Sequence, residues 1–217
     1  MKHWQPPPGT AGLIFDCDGT LADTMPIHYR AWVKILAAHG IPFPEDRFYS
    51  LGGMPTSKII QLLSGELGVV VHDLDAVVHA KESAYVEFMN EVTIIEQVAA
   101  IARDNRGKLP QAVASGGYRA VIQQTLKQVG IADWFDAFVC AEDTEKHKPE
   151  PDVFLEAARR LKVDPVKCVV FEDTDLGMEA ARRAGMFGVD VRMEFGVGPK
   201  LLLVGPSQVG FGERSKD

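Results

Sequence analysis

The sequence predicts an α/β fold, a parallel sheet with helices on both faces, carrying one all-helical insertion. Three observations carry that prediction. Five short runs are apolar or rich in β-formers, as strands buried on both faces are: Gly12 to Phe15, Gln111 to Ala114, Ala137 to Cys140, Cys168 to Phe171 and Gly188 to Val191. Segments with helical periodicity separate the later runs. The stretch from Asp23 to about Glu91 has no convincing strand.

The first run ends at Asp16, and the insertion begins almost at once. Thr24 and Pro26 start a helix that runs to Gly40. Pro55, Thr56 and Ser57 start a second, and Asp73 to Asn90 form a third. An all-helical piece placed directly after the first strand reads as a cap on an α/β core. The linkers fall at Leu21 to Thr24 and Asn90 to Ile94, so residues 1–22 and 92–217 make the core and 23–91 the cap. In the core, Val121, Ile122, Leu126 and Val129 recur at helical spacing over Arg119 to Val129, and Gly130 stops that helix. Asp152 to Leu161 opens behind Pro151, and Asp175 to Ala184 ends at Gly185. The alternation makes the core Rossmann-like. The tail from Gly205 to Asp217, with Gly, Ser and mixed charges, is expected to be loosely held.

Length and composition bound the function. A chain of 217 residues suits one ordinary domain, or a core with a small insert. Hydrophobic residues at 46% and charged residues at 24% are close to a globular average. The formal net charge of −7 lacks the basic footprint of a general nucleic-acid binder. An anionic small substrate stays open, because a bound metal reverses the local sign. Cys17, Cys140 and Cys168 are odd in number and widely spaced, against a disulfide framework or zinc knuckle, and read as small buried hydrophobes. The N-terminus shows no secretory apolar region, and no run approaches a membrane span. The expected setting is the reducing cytoplasm, without nucleic-acid or membrane partners.

Chemistry is expected at four strand ends. Asp16-Cys17-Asp18-Gly19-Thr20 follows the first strand. Two carboxylates there are costly unless a cation joins them, and a hard cation such as Mg²⁺ suits oxygen ligands. A helix-capping Asp plus a turn Asp is the plainer alternative. Glu172-Asp173-Thr174-Asp175 crowds a second strand end. If the two strands are neighbours, Asp16, Asp18, Glu172 and Asp173 converge, while Asp175 reads as a first-turn acid of the next helix. Ser115-Gly116-Gly117 before a helix offers a hydroxyl and backbone N–H groups, a phosphate cradle or simply an N-cap. Arg119 reads as solvated more readily than anion-binding. In Lys146-His147-Lys148-Pro149-Glu150-Pro151 the two prolines hold the backbone extended, and Lys148 is the candidate to balance the acids and hold a phosphate oxygen. His147 reads as a surface residue. No Gly-x-Gly-x-x-Gly follows Phe15, which speaks against a nicotinamide site.

Taken in order over almost the whole chain, Asp16-x-Asp18-Gly19-Thr20, Ser115, Lys148-Pro149-x-Pro151 and Glu172-Asp173 resemble the motifs of the haloacid dehalogenase superfamily of phosphohydrolases. The helical insertion resembles the type 1 cap of its β-phosphoglucomutase-like branch. An acid at position 18 is not normal in true dehalogenases. The resemblance implies that Asp16 is the nucleophile, forming an aspartyl phosphate, and that Asp18 is the general acid and then base. It implies Mg²⁺ held by Asp16, the backbone carbonyl of Asp18 and Asp173, with Glu172 as ligand or just behind. Ser115, Gly116 and Lys148 would bind phosphate, with Thr20 in the motif turn grouped with them.

The same resemblance assigns the cap. His28-Tyr29-Arg30-Ala31-Trp32 matches a cap-helix segment whose histidine faces the core, although a plain surface histidine fits the residues equally well. Leu51-Gly52-Gly53 matches the loop that determines substrate choice. The hexose-phosphate mutases of the branch carry an Arg and a Lys in the cap for a second phosphate, and Thr56 and Glu87 fall at those positions. Gly53-Met54-Pro55-Thr56, Val169 to Asp173 and Ala181 to Met186 are more similar to bacterial sugar-phosphate phosphatases of the fructose-1-phosphate type. The expected function is a Mg²⁺-dependent phosphatase of small phosphorylated sugars, working as a monomer or weak dimer. The alternatives are a sugar-phosphate mutase and a non-catalytic phosphate-binding regulator on the same fold.

Overall fold

The computed structural model describes residues 4–198. In chain order its strands are β1 (Gly12–Phe15), β2 (Ala22–Asp23), β3 (Thr93–Ile94), β4 (Gln111–Ala114), β5 (Ala137–Val139), β6 (Cys168–Glu172) and β7 (Phe187–Asp190). The helices are α1 (Met25–Ala37), α2 (Glu45–Ser50), α3 (Thr56–Leu67), α4 (Leu74–Phe88), α5 (Glu96–Asn105), α6 (Arg119–Gln128), α7 (Asp152–Leu161), α8 (Asp175–Arg183) and α9 (Val191–Phe195).

Five strands form a parallel sheet in the order β5-β4-β1-β6-β7. β1 is central, and every one of its residues is buried. Its period of two explains the uninterrupted apolar run. Leu13 and Phe15 face Val98 of α5 and Ile122 and Leu126 of α6. Ile14 faces Phe154 and Ala157 of α7 and Ala180 of α8. Phe15 stacks on Phe171 of β6 with ring centroids 4.7 Å apart. The chain builds outward from β1 through β4 to β5, then crosses back to β6 and β7. That reversal puts a switch point beside the carboxyl end of β1, where ligands bind in open α/β sheets.

Helices α1 to α4 lie in sequence between β2 and β3. Trp32, Phe43, Phe48, Ile60 and Val77 make one apolar cluster among them, and Ala31, Ala84, Tyr85 and Met89 another. β2 and β3 pair antiparallel, Ala22 with Ile94 and Asp23 with Thr93. The segments read as linkers from sequence are therefore bonded to each other. Strands of two residues are too short for alternation to reveal. The helices α2 and α5 also went unmarked in the sequence. Neither has a side-chain cap at its start, since Pro44 and Ile95 occupy those positions.

Three strands have other bounds than the apolar runs, β6 running one residue further to Glu172. β5 stops at Val139 because the Cys140 N–H turns to the Asp143 carboxylate, at 2.7 Å. β7 starts at Phe187 and stops at Asp190, whose side chain caps α9 by accepting from the Arg192 N–H. The three cysteines are free and buried. Among the described residues, no helix is long and apolar enough to cross a membrane. The tail from Gly205 to Asp217 lies outside the described residues.

Candidate active site

Asp16 is the first residue beyond β1. Its N–H still donates to the Phe171 carbonyl at 3.0 Å, so the sheet ladder fixes its backbone between β1 and β6. Lys148 Nζ lies 2.6 Å from Asp16 Oδ1 and 2.6 Å from Glu172 Oε1, and all three side chains are buried. Glu172 ends β6, and its Oε2 accepts from the N–H and hydroxyl of Thr174. The first turn of α8 crosses so close that a Cβ on Gly177 would stand 1.8 Å from Glu172 Oε1. Asp173 follows. Gly19, at φ +77°, passes where a Cβ would stand 2.1 Å from Asp173 Oδ2.

Asp16, Glu172 and Asp173 each offer a carboxylate oxygen, the three lying within 4.8 Å of one another. Burial, reinforced by Glu172 and Asp18, pushes the Asp16 carboxyl up to about 8 in spite of Lys148. Burial, reinforced by Glu172 and Asp16, raises Asp173 well above its ordinary range. Burial works against the Lys148 charge, but Asp16 and Glu172 outweigh it and hold the ammonium above its usual range. One ammonium thus faces three acids. An all-oxygen donor set with surplus negative charge fits a hard divalent cation such as Mg²⁺.

Asp18 is electrostatically opposite to Asp16. Its Oδ1 accepts from Thr24 Oγ1 at 2.8 Å and lies 3.2 Å from His28 Nε2. Burial opposes its charge, but His28 and Thr24 outweigh that and hold the carboxyl below the usual carboxylate range. The Asp18 side chain turns to the helical insertion and is not part of the three-acid group. Thr24 stands at the N-cap of α1 yet makes no capping bond, because its hydroxyl is given to Asp18.

Ser115 follows β4, and its Oγ accepts from the Gly117 N–H at 3.0 Å. That leaves the hydroxyl proton free to point into the cavity, which Ser115, Gly116 and Lys148 line together with Asp16 and Asp18. The sequence groups Thr20 with the phosphate-binding residues. In the structure its hydroxyl donates to Asp173 Oδ1 at 3.0 Å, and the side chain is fully buried away from the cavity. Arg119 is 34% exposed, pairs with Asp143 and does not line the cavity. Nor does His147 line it. Asp175 is a first-turn acid of α8, paired with Arg192 at 2.6 Å.

The cavity has a volume of about 110 Å³ and is walled on one side by the insertion. His28, Gly52, Gly53 and Thr56 all line it. The Gly52–Gly53 loop lies against Thr174 of the core. His28 stacks on Tyr85 with centroids 4.0 Å apart, and Tyr85 is tied to Thr125 of α6 at 2.9 Å. Glu87 needs correcting. It is exposed, pairs with Lys34 and does not line the cavity.

The cation of the cap is Lys81, six residues earlier and about 240° round the helix. Its side chain is 4% exposed. Nζ lies 3.0 Å from His28 Nδ1 and 3.1 Å from Glu82 Oε1, and Glu82 also accepts from Thr56 Oγ1 at 2.8 Å. Lys81 and Glu82 are functional candidates that the sequence reading missed. The signal was present for Lys81: with Val77 and Tyr85 it forms an i, i+4 row on the buried face of α4.

Residues 10–185 match the model of the haloacid dehalogenase-like hydrolases. The chain is 39% identical over 183 residues to the fructose-1-phosphate phosphatase of Escherichia coli (strain K12), covering 84% of this chain and 97% of that protein. It is 30% identical over 187 residues to the β-phosphoglucomutase of Bacillus subtilis (strain 168), covering 82% of each. The crystal structure of a β-phosphoglucomutase from Clostridium difficile superposes with a TM-score of 0.77 at 26% identity, covering 82% of this chain and 83% of that one. The motif residues gathered at the carboxyl end of β1 and a family match over most of the sequence agree, and the chain belongs to the haloacid dehalogenase-like hydrolase family.

Proposed function

We propose that this protein is a Mg²⁺-dependent phosphatase that hydrolyses small phosphorylated sugars through an aspartyl phosphate on Asp16. One observation carries the reading. Two carboxylates two residues apart sit in opposite environments, Asp16 against Lys148 and the acid group, Asp18 against His28 and Thr24. Asp16 stands among the ammonium and the oxygen donors that would hold a metal and a phosphoryl group, the place of a nucleophile, and a bound divalent cation would bring its raised carboxyl back to the ionised form. Asp18 stands aside from them, toward the insertion, the place of an acid–base group.

Asp16, Asp173 and the Asp18 carbonyl would hold Mg²⁺, with Glu172 beside them. The metal, when bound, supplies positive charge against the phosphoryl oxygens. In the first step an Asp16 oxygen bonds to phosphorus as the bond from phosphorus to the sugar oxygen breaks. Asp18, held ionised by His28 and Thr24 in the free protein, would take up a proton from solvent as the phosphoryl dianion enters the cavity and raises its carboxyl, and would then give that proton to the departing oxygen. Asp18 Oδ2 carries no hydrogen bond among the described residues and is the oxygen left for that exchange. In the second step Asp18 takes a proton from water, whose oxygen attacks phosphorus and releases phosphate, restoring Asp16. Ser115 and Lys148 hold the remaining phosphoryl oxygens. The same proposal takes residues 23–91 as a cap on the core of residues 1–22 and 92–217, with His28 and Thr24 of the cap setting the state of Asp18 in the core.

The name of the E. coli relative makes fructose 1-phosphate the first substrate to try. The test is phosphate release from a panel of sugar monophosphates, with Mg²⁺ and after EDTA, by the native protein and by Asp16→Asn. The expected result is metal-dependent release that falls to background in Asp16→Asn. Release by a well-folded Asp16→Asn protein would sink the mechanism.

A further inference from the structure

We infer that Glu82 selects substrates whose non-phosphate end is uncharged and hydroxylated, and rejects those carrying a second anion; this rests on the phosphatase reading above. The inference starts from the balance of charge on the cap side of the cavity. Two charged side chains stand there besides His28, Lys81 and Glu82. Lys81 has no charge to spare for a ligand. Its ammonium meets Glu82 Oε1 and His28 Nδ1, and lies 5.3 Å from the Trp32 ring and 5.9 Å from the Tyr85 ring. Lys148, the other cation lining the cavity, is held between Asp16 and Glu172. Among the described residues no arginine lines the cavity.

Glu82 is different. Its side chain is 15% exposed. Oε1 accepts twice, from Lys81 and from Thr56, while Oε2 has no partner among the described residues. Oε2 is open to solvent in the cavity that Glu82 lines, so a ligand that displaces its water must bring O–H groups to replace it. A sugar hydroxyl does so. A carboxylate or a second phosphate has no such proton when ionised and adds like charge. Trp32, Met54 and Ile59 around it lower the local dielectric, so that repulsion is poorly screened.

The test uses matched pairs that differ in the distal group. Fructose 1-phosphate is compared with fructose 1,6-bisphosphate, and glucose 6-phosphate with 6-phosphogluconate. Phosphate release is measured as kcat/KM with Mg²⁺, and the ratio of neutral to anionic substrate is taken within each protein. Loss of active protein then cancels. The native protein should favour the neutral member at least tenfold. Glu82→Gln should shrink that ratio about tenfold, equivalent to about 1.4 kcal/mol, and Glu82→Asp, which keeps the charge, should largely retain it. A native ratio near one overturns the inference, as does a ratio that Glu82→Gln leaves unchanged. If no sugar phosphate is hydrolysed at all, the phosphatase reading itself fails and takes this inference with it.

Discussion

His28 Nε2 lies 3.2 Å from Asp18 Oδ1, in a contact that crosses from the helical insertion to the end of the central strand. On the other side of the ring, Nδ1 faces the Lys81 ammonium at 3.0 Å. An ammonium only donates, so Nδ1 must be the accepting nitrogen and Nε2 must carry the hydrogen given to Asp18. Burial and the Lys81 charge hold His28 below its ordinary range, which favours this neutral tautomer. A lysine on α4 thus fixes a proton on a histidine of α1, and that proton orients a carboxylate beyond β1.

Asp18→Ala should lower turnover of a sugar phosphate by ~10²–10⁴, the usual contribution of a positioned acid–base group. An alkoxide leaving group needs its proton, whereas para-nitrophenolate leaves without one. The first step with para-nitrophenyl phosphate should therefore suffer less. A burst experiment that follows the leaving group separately from phosphate makes the comparison. Equal losses in the first step for both substrates would remove Asp18 as the acid.

Lys81→Met should destabilise the protein by about 3 kcal/mol, because Glu82 then keeps a buried charge without its cation. Removing both partners is less damaging than removing one. The double variant Lys81→Met, Glu82→Gln should recover part of the loss. Urea unfolding of the two variants checks the order. A double variant no more stable than the single would mean that the pair is not coupled.

The strand-end residues were legible in the sequence because each follows an apolar run that can only be a buried strand. Asp16 after Leu-Ile-Phe and Glu172 after Val-Val-Phe announce the two strands, and their pairing, Phe15 with Phe171, brings the acids together. The cap contacts were not legible in this way. Lys81 and His28 are 53 residues apart, and their contact depends on the rotation of α4 against α1. The resemblance aligned the mutases' cap lysine with Glu87, on the solvent side of that helix, and so left the cap without a cation there. Helical phase, carried by Val77, Lys81 and Tyr85, would have pointed inward. Thr24 misled for a related reason. It marks the start of α1 correctly, but its hydroxyl bonds to Asp18 and not to its own helix.

Asp143→Asn should cost about 1–3 kcal/mol at neutral pH, and the cost should vanish in acid. Asp143 accepts from Arg160 at 2.7 Å, from the Cys140 N–H at 2.7 Å and from Arg119. Burial works against its charge, but these partners outweigh it and hold its carboxyl below the ordinary value. A carboxyl depressed in the folded state contributes stability above its unfolded pKa of about 3.9, and loses it as pH falls through the folded value. Hydrogen bonds to charged groups of this kind are each worth about 1.5–3 kcal/mol at most. Chemical unfolding of the native protein and Asp143→Asn at pH 7 and at pH 3 should show the difference narrowing. A difference that persists unchanged at pH 3 would mean the carboxylate charge is not its source.

Mg²⁺ should raise the melting temperature of EDTA-treated protein, and Asp173→Asn should blunt that rise. The argument runs from charge. Asp16, Glu172 and Asp173 lie within 4.8 Å of one another around a single ammonium, and burial has already pushed Asp16 and Asp173 upward. A divalent cation that binds only the folded chain stabilises it by mass action, about 2.7 kcal/mol at a hundred times Kd. Removing one carboxylate weakens the binding without emptying the cavity of oxygen donors. Asp173→Asn should therefore need more Mg²⁺ for the same shift in Tm. Ca²⁺ should also stabilise, since it accepts the same oxygens, but it should inhibit phosphate release, because its longer and looser coordination spoils the alignment of the reacting groups. The two readouts separate binding from catalysis. A Tm indifferent to Mg²⁺, or a full shift retained in Asp173→Asn, would show that these three carboxylates do not hold the metal.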